Sequence, residues 1–156
     1  GNANMEELTV EEIIKYAVRA QQYSFIFYRR AGKKLQGNVL KRFTDNLADQ
    51  SADRLARLKN LLSECFLEGE DLSTMQAVDT APFDDILENG VIPIYATPIA
   101  LLRLSYEREL SMKRTCDMIL ELALPSKRVS TVFDSLRSSA EHHLEDIRNQ
   151  LQESNA

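Results

Sequence analysis

The chain has 156 residues, 44% of them apolar and 28% charged, with a net charge of -5. This is the mixture of a single domain with its own core, and it excludes a disordered chain. Five Gly, four Pro and no Trp argue against a turn-rich β fold, no stretch is apolar for long enough to span a membrane, and the acidic balance argues against nucleic acid as a partner.

The first helix is expected over about 9–36. Thr9 and Glu12 have the spacing of a capping box, in which the hydroxyl and the carboxylate each take one orphan amide. Ile14, Ala17, Gln21, Ser24, Tyr28, Ala31 and Leu35 then recur at three-four spacing, the single stripe of a core-facing helix. Gly37 and Asn38 mark a turn. The second helix is expected over about 38–65, with the stripe Leu40, Phe43, Leu47, Ser51, Arg54, Leu58, Leu61 and Cys65. So short a connection makes the two helices antiparallel neighbours.

Residues 66–96 read as a crossover. A structureless loop of that length is unusual inside one domain. Thr80, Ala81 and Pro82 predict the start of a short helix over Phe83–Glu88, stopped by Asn89 and Gly90. Val91–Tyr95 reads as an extended apolar segment. Thr97 as cap and Pro98 at the first helical position open the third long helix, about 97–124. Its stripe is Ile99, Leu102, Tyr106, Glu109, Lys113, Cys116, Ile119 and Ala123, and Pro125 ends it. Ser126 caps the last helix, about 126–152, with the stripe Val129, Val132, Leu136, Ala140, His143, Ile147 and Leu151.

The expected fold is therefore all-α: a four-helix bundle of ferritin-like connectivity, two antiparallel helical hairpins joined by a long crossover containing a short helix. A plain up-down bundle with a disordered insert is the alternative. One domain spans 1–156.

Each stripe is interrupted near its middle by polar residues: Gln21, Ser51 with Arg54, Glu109, and His143. Buried polar groups cost free energy unless each finds a partner, so four interruptions at one level need a reason. Gln21 and Arg54 are 33 residues apart, Glu109 and His143 are 34, and the two sets are offset by 88 and 89. This spacing is that of a worn duplication of one helical hairpin.

With segments such as AQQYSFIFYRRA, LADQSADRLARL and SSAEHHLEDI, the layer resembles the di-iron layer of the ferritin-like superfamily, and rubrerythrin-type proteins in particular. The likeness covers most of residues 8–152. In that family two helices each give one Glu and two each give Glu-x-x-His, because carboxylates balance and bridge two cations and neutral imidazoles complete them. Tyr28, seven residues after Gln21, matches a further family feature, and Cys116 stands at its counterpart in the second half.

This chain departs from that ligand set. Gln21 stands where Glu is implied, and Ser51-Ala52-Asp53-Arg54 stands for Glu-x-x-His. Glu109 is kept. Ala140-Glu141-His142-His143 keeps the His without the Glu. His142 and His143 are the only histidines, preceded at three residues by Ser139 and Ala140, so no Glu-x-x-His exists. Glu109 and His143 alone cannot hold a bridged metal pair, and Arg54 repels a cation. No metal is expected; Glu109 and His143 are the ligands if one binds.

Arg54 and Glu109 are expected to pair in the core, with Gln21, Ser51 and His143 taking up the remaining donors and acceptors. The competing arrangement sends Arg54 along its stem to solvent and puts Gln50 or Leu55 in the core. His142 with Glu145 and His143 with Asp146 read as helix-surface pairs. Glu107 lies off the stripe and is expected in solvent. Tyr23, Phe25, Phe27 and Tyr28 read as core and dimer packing. Arg29, Arg30, Lys33, Lys34, Lys41 and Arg42 surround the first turn and complement helix dipoles.

No Gly-rich phosphate loop and no GxSxG elbow is present. Cys65 and Cys116 fit no CxxC spacing and read as buried thiols of a cytoplasmic protein; the acidic start of the chain has no apolar h-region, so no signal peptide is expected.

Two functions compete. One is a non-catalytic binding or structural protein with no cofactor. It would form a homodimer and act on a protein or a small apolar ligand, with neither membrane nor nucleic acid as partner. The other is an iron-dependent oxidoreductase or peroxidase of rubrerythrin type, using Glu109, His143, Asp53 and Glu141 as substitute ligands. Iron storage in a cage is disfavoured by the depleted ligand set.

Overall fold

A computed structural model describes residues 3–88 and 90–154. The chain is mostly helical. In order, β1 (Met5–Thr9) is followed by α1 (Val10–Lys34), α2 (Lys41–Leu67), β2 (Met75–Asp79), α3 (Ala81–Glu88), α4 (Pro98–Leu120) and α5 (Lys127–Ser154).

Thr9 caps α1 as the spacing predicts. Its hydroxyl accepts from the Glu12 amide at 3.1 Å, and the Glu12 carboxylate accepts from the Thr9 amide at 3.1 Å. Every residue of the expected α1 stripe is buried. On α2 the stripe is buried except Phe43, which is half-buried. That helix starts at Lys41 rather than at 38, because the turn consumes three more residues. Gly37 takes a left-handed φ of 78°, and the Asn38 side chain accepts from the Leu40 amide at 2.9 Å.

The long helices pack in pairs, α1 on α2 and α4 on α5, and the pairs meet through α2 with α5 and α1 with α4. The main apolar core takes Ile13, Ile14 and Ala17 from α1, Leu58, Leu61 and Cys65 from α2, Met112, Cys116 and Ile119 from α4, and Val129, Phe133 and Leu136 from α5. Fully burying one such side chain stabilises by about 1.5–3 kcal/mol.

The crossover is where the structure departs most from the sequence reading. It is not a disordered insert. Its first half forms a strand, β2, which pairs antiparallel with β1 in the register Met5 with Asp79 to Thr9 with Met75. The fold is therefore helical with a small two-stranded sheet, not purely α. Only Leu8 and Val78 of this ribbon are buried. Just ahead of the strand, Leu72 and Thr74 offer carbonyls to the Glu11 and Val10 amides, at 3.1 and 3.3 Å, and so satisfy orphan donors of α1.

The short helix α3 begins at Ala81, two residues before the expected start, and packs on α1 and α4 with Phe83 and Ile86 buried. Its expected stop at Asn89 lies outside the described residues. Val91–Tyr95 is a loop closed by a bond from the Ala96 amide to the Pro93 carbonyl, not an extended strand.

Thr97 and Pro98 open α4 as expected, with the Thr97 hydroxyl accepting from the Ala100 amide at 3.1 Å. This helix ends at Leu120 instead of 124, and Ala123 is exposed in the connecting loop. Pro125 disfavours the helical conformation of the residue before it, so the helix unwinds ahead of it. Ser126 accepts from the Val129 amide at 3.3 Å at the start of α5.

Candidate functional site: a buried ion pair between the helices

Arg54 of α2 and Glu109 of α4 are 3% and 1% exposed, and their side chains meet. Arg54 Nη2 donates to Glu109 Oε1 at 2.9 Å, and Nη1 donates to Oε2 at 3.4 Å. The contact is a two-pronged fork, the geometry a guanidinium and a carboxylate share best. The route to solvent along the Arg54 stem is not taken. Gln50 is exposed and Leu55 half-buried, so the helix phase is the one that puts Arg54 inside.

The pair has further partners. Ser139 Oγ of α5 accepts from Arg54 Nε at 3.2 Å and from Nη2 at 2.9 Å. The Tyr28 hydroxyl of α1 donates to Glu109 Oε2 at 3.1 Å. His143 of α5 brings Nδ1 to 2.5 Å from Glu109 Oε1 and 2.8 Å from Arg54 Nη2. Two acceptors do not share so short a contact, so Nδ1 carries a proton and donates it to Glu109. The other ring nitrogen, Nε2, meets Gln50 Oε1, which leads the chain of bonds to the surface. All four long helices thus converge on one carboxylate and one guanidinium.

Burial alone pushes the Glu109 carboxyl up. The charge of Arg54, and the bond and charge of His143, outweigh it and hold the carboxyl down at about 2. For Arg54 burial favours loss of the proton, but Glu109 more than compensates and raises its affinity for it. Tyr28 is pushed well above the ordinary tyrosine value, first by burial and then by the Glu109 charge. Cys116 is pushed up to about 12, chiefly by burial, so it is a protonated thiol and not a nucleophile at neutral pH.

The remaining expected residues fall differently. Gln21 and Ser51 are buried but do not serve the ion pair. Gln21 Nε2 contacts Met112 Sδ at 3.3 Å, while Gln21 Oε1 and Ser51 Oγ have no hydrogen-bond partner among the described residues. Asp53 and Glu141, proposed as substitute ligands, are exposed on α2 and α5. Glu107 is exposed, as expected. The histidine surface pairs are also different: His142 lies 3.8 Å from Asp146, and His143 is taken up by the core.

Three participants were not singled out by the stripes. Ser139 precedes Ala140 and lies off the α5 stripe, and Gln50 precedes Ser51 on the exposed side of α2. Arg108, off the α4 stripe, is 2% exposed; its guanidinium stacks 4.8 Å over the Phe27 ring and donates to the Ile86 carbonyl at 3.0 Å. It thereby ties α3 and α1 to α4. Its position next to Glu109 is the only hint the sequence holds.

A metal pair does not fit this donor set. Both Glu109 oxygens are engaged by Arg54, Tyr28 and His143, and the fixed positive charge of Arg54 beside them repels a cation. Among the described residues no group of three or more His, Cys, Asp or Glu is placed to share an ion. Comparison with protein-family models, with curated proteins and with solved structures finds no match to this chain.

Proposed function

We propose that the chain is a ferritin-like, rubrerythrin-type four-helix bundle that has lost most of its di-iron ligands and acts as a non-catalytic binding or structural protein. Two antiparallel hairpins, α1 with α2 and α4 with α5, carry the layer. The Arg54–Glu109 pair replaces the metal as the group that ties the hairpins together. The observation that carries this reading is the guanidinium of Arg54 held in the core on Glu109 and Ser139. A cation built into the protein does the electrostatic work that bound cations do in relatives of that type. The resemblance and the cysteine usage further imply a cytoplasmic homodimer. No helix among the described residues is long and apolar enough to cross a membrane.

The test is metal content. Protein purified without chelator is assayed for iron, manganese and zinc per chain, then assayed again after anaerobic ferrous loading while thermal unfolding is followed. The expected result is substoichiometric metal and an unchanged unfolding temperature. Near-stoichiometric metal that disappears in Glu109→Ala overturns the proposal in favour of the oxidoreductase.

A further inference from the structure

We propose that the end of the molecule formed by the α1–α2 turn and the loop before α4 docks on an anionic lipid surface. This end carries apolar side chains that the fold does not cover. Val39 in the turn is 92% exposed, and in the loop Val91, Ile94 and Tyr95 are 79%, 81% and 93% exposed. Val39, Ile94 and Tyr95 belong to one end, and Val91 lies further along the flank, beside Tyr23, Ile26 and Arg30 of α1. The Lys34 ammonium at the end of α1 donates to the Ile94 carbonyl at 3.2 Å, and Val39 and Leu40 line one notch with Thr97, Pro98 and Ile99. Residues 89–102 contain no charged side chain at all.

Cations stand behind these tips. Arg29, Arg30, Lys33 and Lys34 occupy the last turns of α1, and Arg42 the first turn of α2, all exposed. Lys41 is held by Asp45 at 2.6 Å. Among the described residues, the carboxylates placed against this end are Asp45, already paired, Glu88 at the close of α3, and Glu153 in the notch beside Val39. The chain as a whole carries a charge of -5, so this local excess of positive charge runs against the balance of the molecule.

The shape selects the partner. Val39 and Val91 border shallow notches, but Ile94 and Tyr95, exposed to this degree, are protrusions, and a fluid interface receives protrusions without a matching pocket. Tyrosine and aliphatic residues enter the headgroup boundary while Lys and Arg remain at the phosphates. Electrostatic attraction of this kind falls within a Debye length, so binding must be sensitive to salt.

The experiment is co-sedimentation of the full chain with phosphatidylcholine vesicles, with and without phosphatidylserine, at about 0.05 M and about 0.5 M salt. The expected result is binding at low salt that increases at least about tenfold with phosphatidylserine and is lost at high salt. Ile94→Asp with Tyr95→Asp should abolish it. These side chains support no core contact, so the unfolding temperature should not move. Lys33→Glu with Lys34→Glu should remove the phosphatidylserine dependence. Absence of vesicle binding at low salt, or binding untouched by the loop variant, overturns the proposal. So does self-association without vesicles that the loop variant abolishes, or retention of a short RNA in place of vesicles; those results assign the face to a second copy or to nucleic acid.

Discussion

The α1–α2 pair and the α4–α5 pair place polar residues at corresponding positions, yet the two sets are satisfied unequally. Glu109 on α4 receives bonds from Arg54, Tyr28 and His143, whereas its counterpart Gln21 on α1 is left with a thioether contact and an unpaired carbonyl oxygen. Ser51 on α2 is unpartnered among the described residues, while its counterpart Ala140 on α5 has nothing to satisfy. The one cation comes from α2, and the anion and the imidazole come from α4 and α5. Burial at an equivalent position therefore does not confer equivalent energetic weight. The weight rests on the groups that complete the charge pair across the two halves, and the others persist at a small cost.

The largest expected effect comes from breaking that pair. Arg54→Met leaves Glu109 buried without its guanidinium and should cost about 3–5 kcal/mol, as should Glu109→Leu. The double variant should recover much of the loss, because neither charge is then stranded; it should not recover all of it, since Tyr28 and His143 lose an acceptor. Urea denaturation of the four proteins in a double-mutant cycle reads the coupling directly. Single variants that each lose under about 1 kcal/mol would remove Arg54 and Glu109 from the centre of the comparison.

Acid should sharpen the same contrast. Glu109 has its carboxyl lowered from an ordinary 4.5 to about 2 in the folded chain. A lowered folded value means that the contribution is fully present above the unfolded value and is lost as pH falls through the folded one. Stability should therefore decline between about pH 4.5 and pH 2, by a few kcal/mol from this group. Glu109→Gln should lack that part of the decline. In Arg54→Met the decline should shrink, because burial then opposes only the bond and charge of His143. Stability measured across pH on the three proteins separates the cases.

What was legible from residues alone follows the physics of each element. The long helices show because three-four spacing repeats over many turns, and Thr9, Thr97 and Ser126 mark starts by hydrogen bonds that depend on local sequence only. The burial of Arg54, Glu109 and His143 was readable for the same reason: they sit in phase with apolar neighbours. Their partners were less so. Ser139 is half-buried and off the stripe, and Arg108 turns inward because Phe27 and the Ile86 carbonyl receive it, contacts between residues far apart in the chain. The sheet was missed because each strand buries one side chain, Leu8 or Val78, so no alternation shows. Its stability comes from pairing across some seventy residues and from the α1 amides it satisfies.

The smallest expected effect lies on the weaker side of the comparison. Ser51→Ala removes a buried hydroxyl with no partner among the described residues, and makes α2 match Ala140 of α5. A lost hydrogen bond cannot offset the gain, because none is made among the described residues. Removing the desolvated oxygen and substituting a better helix former should leave stability unchanged or raise it by up to about 1 kcal/mol. Thermal and urea unfolding both read this. A loss of more than about 1 kcal/mol would mean that the hydroxyl is satisfied in solution, and that the α1–α2 side contributes more to the layer than its hydrogen bonds suggest.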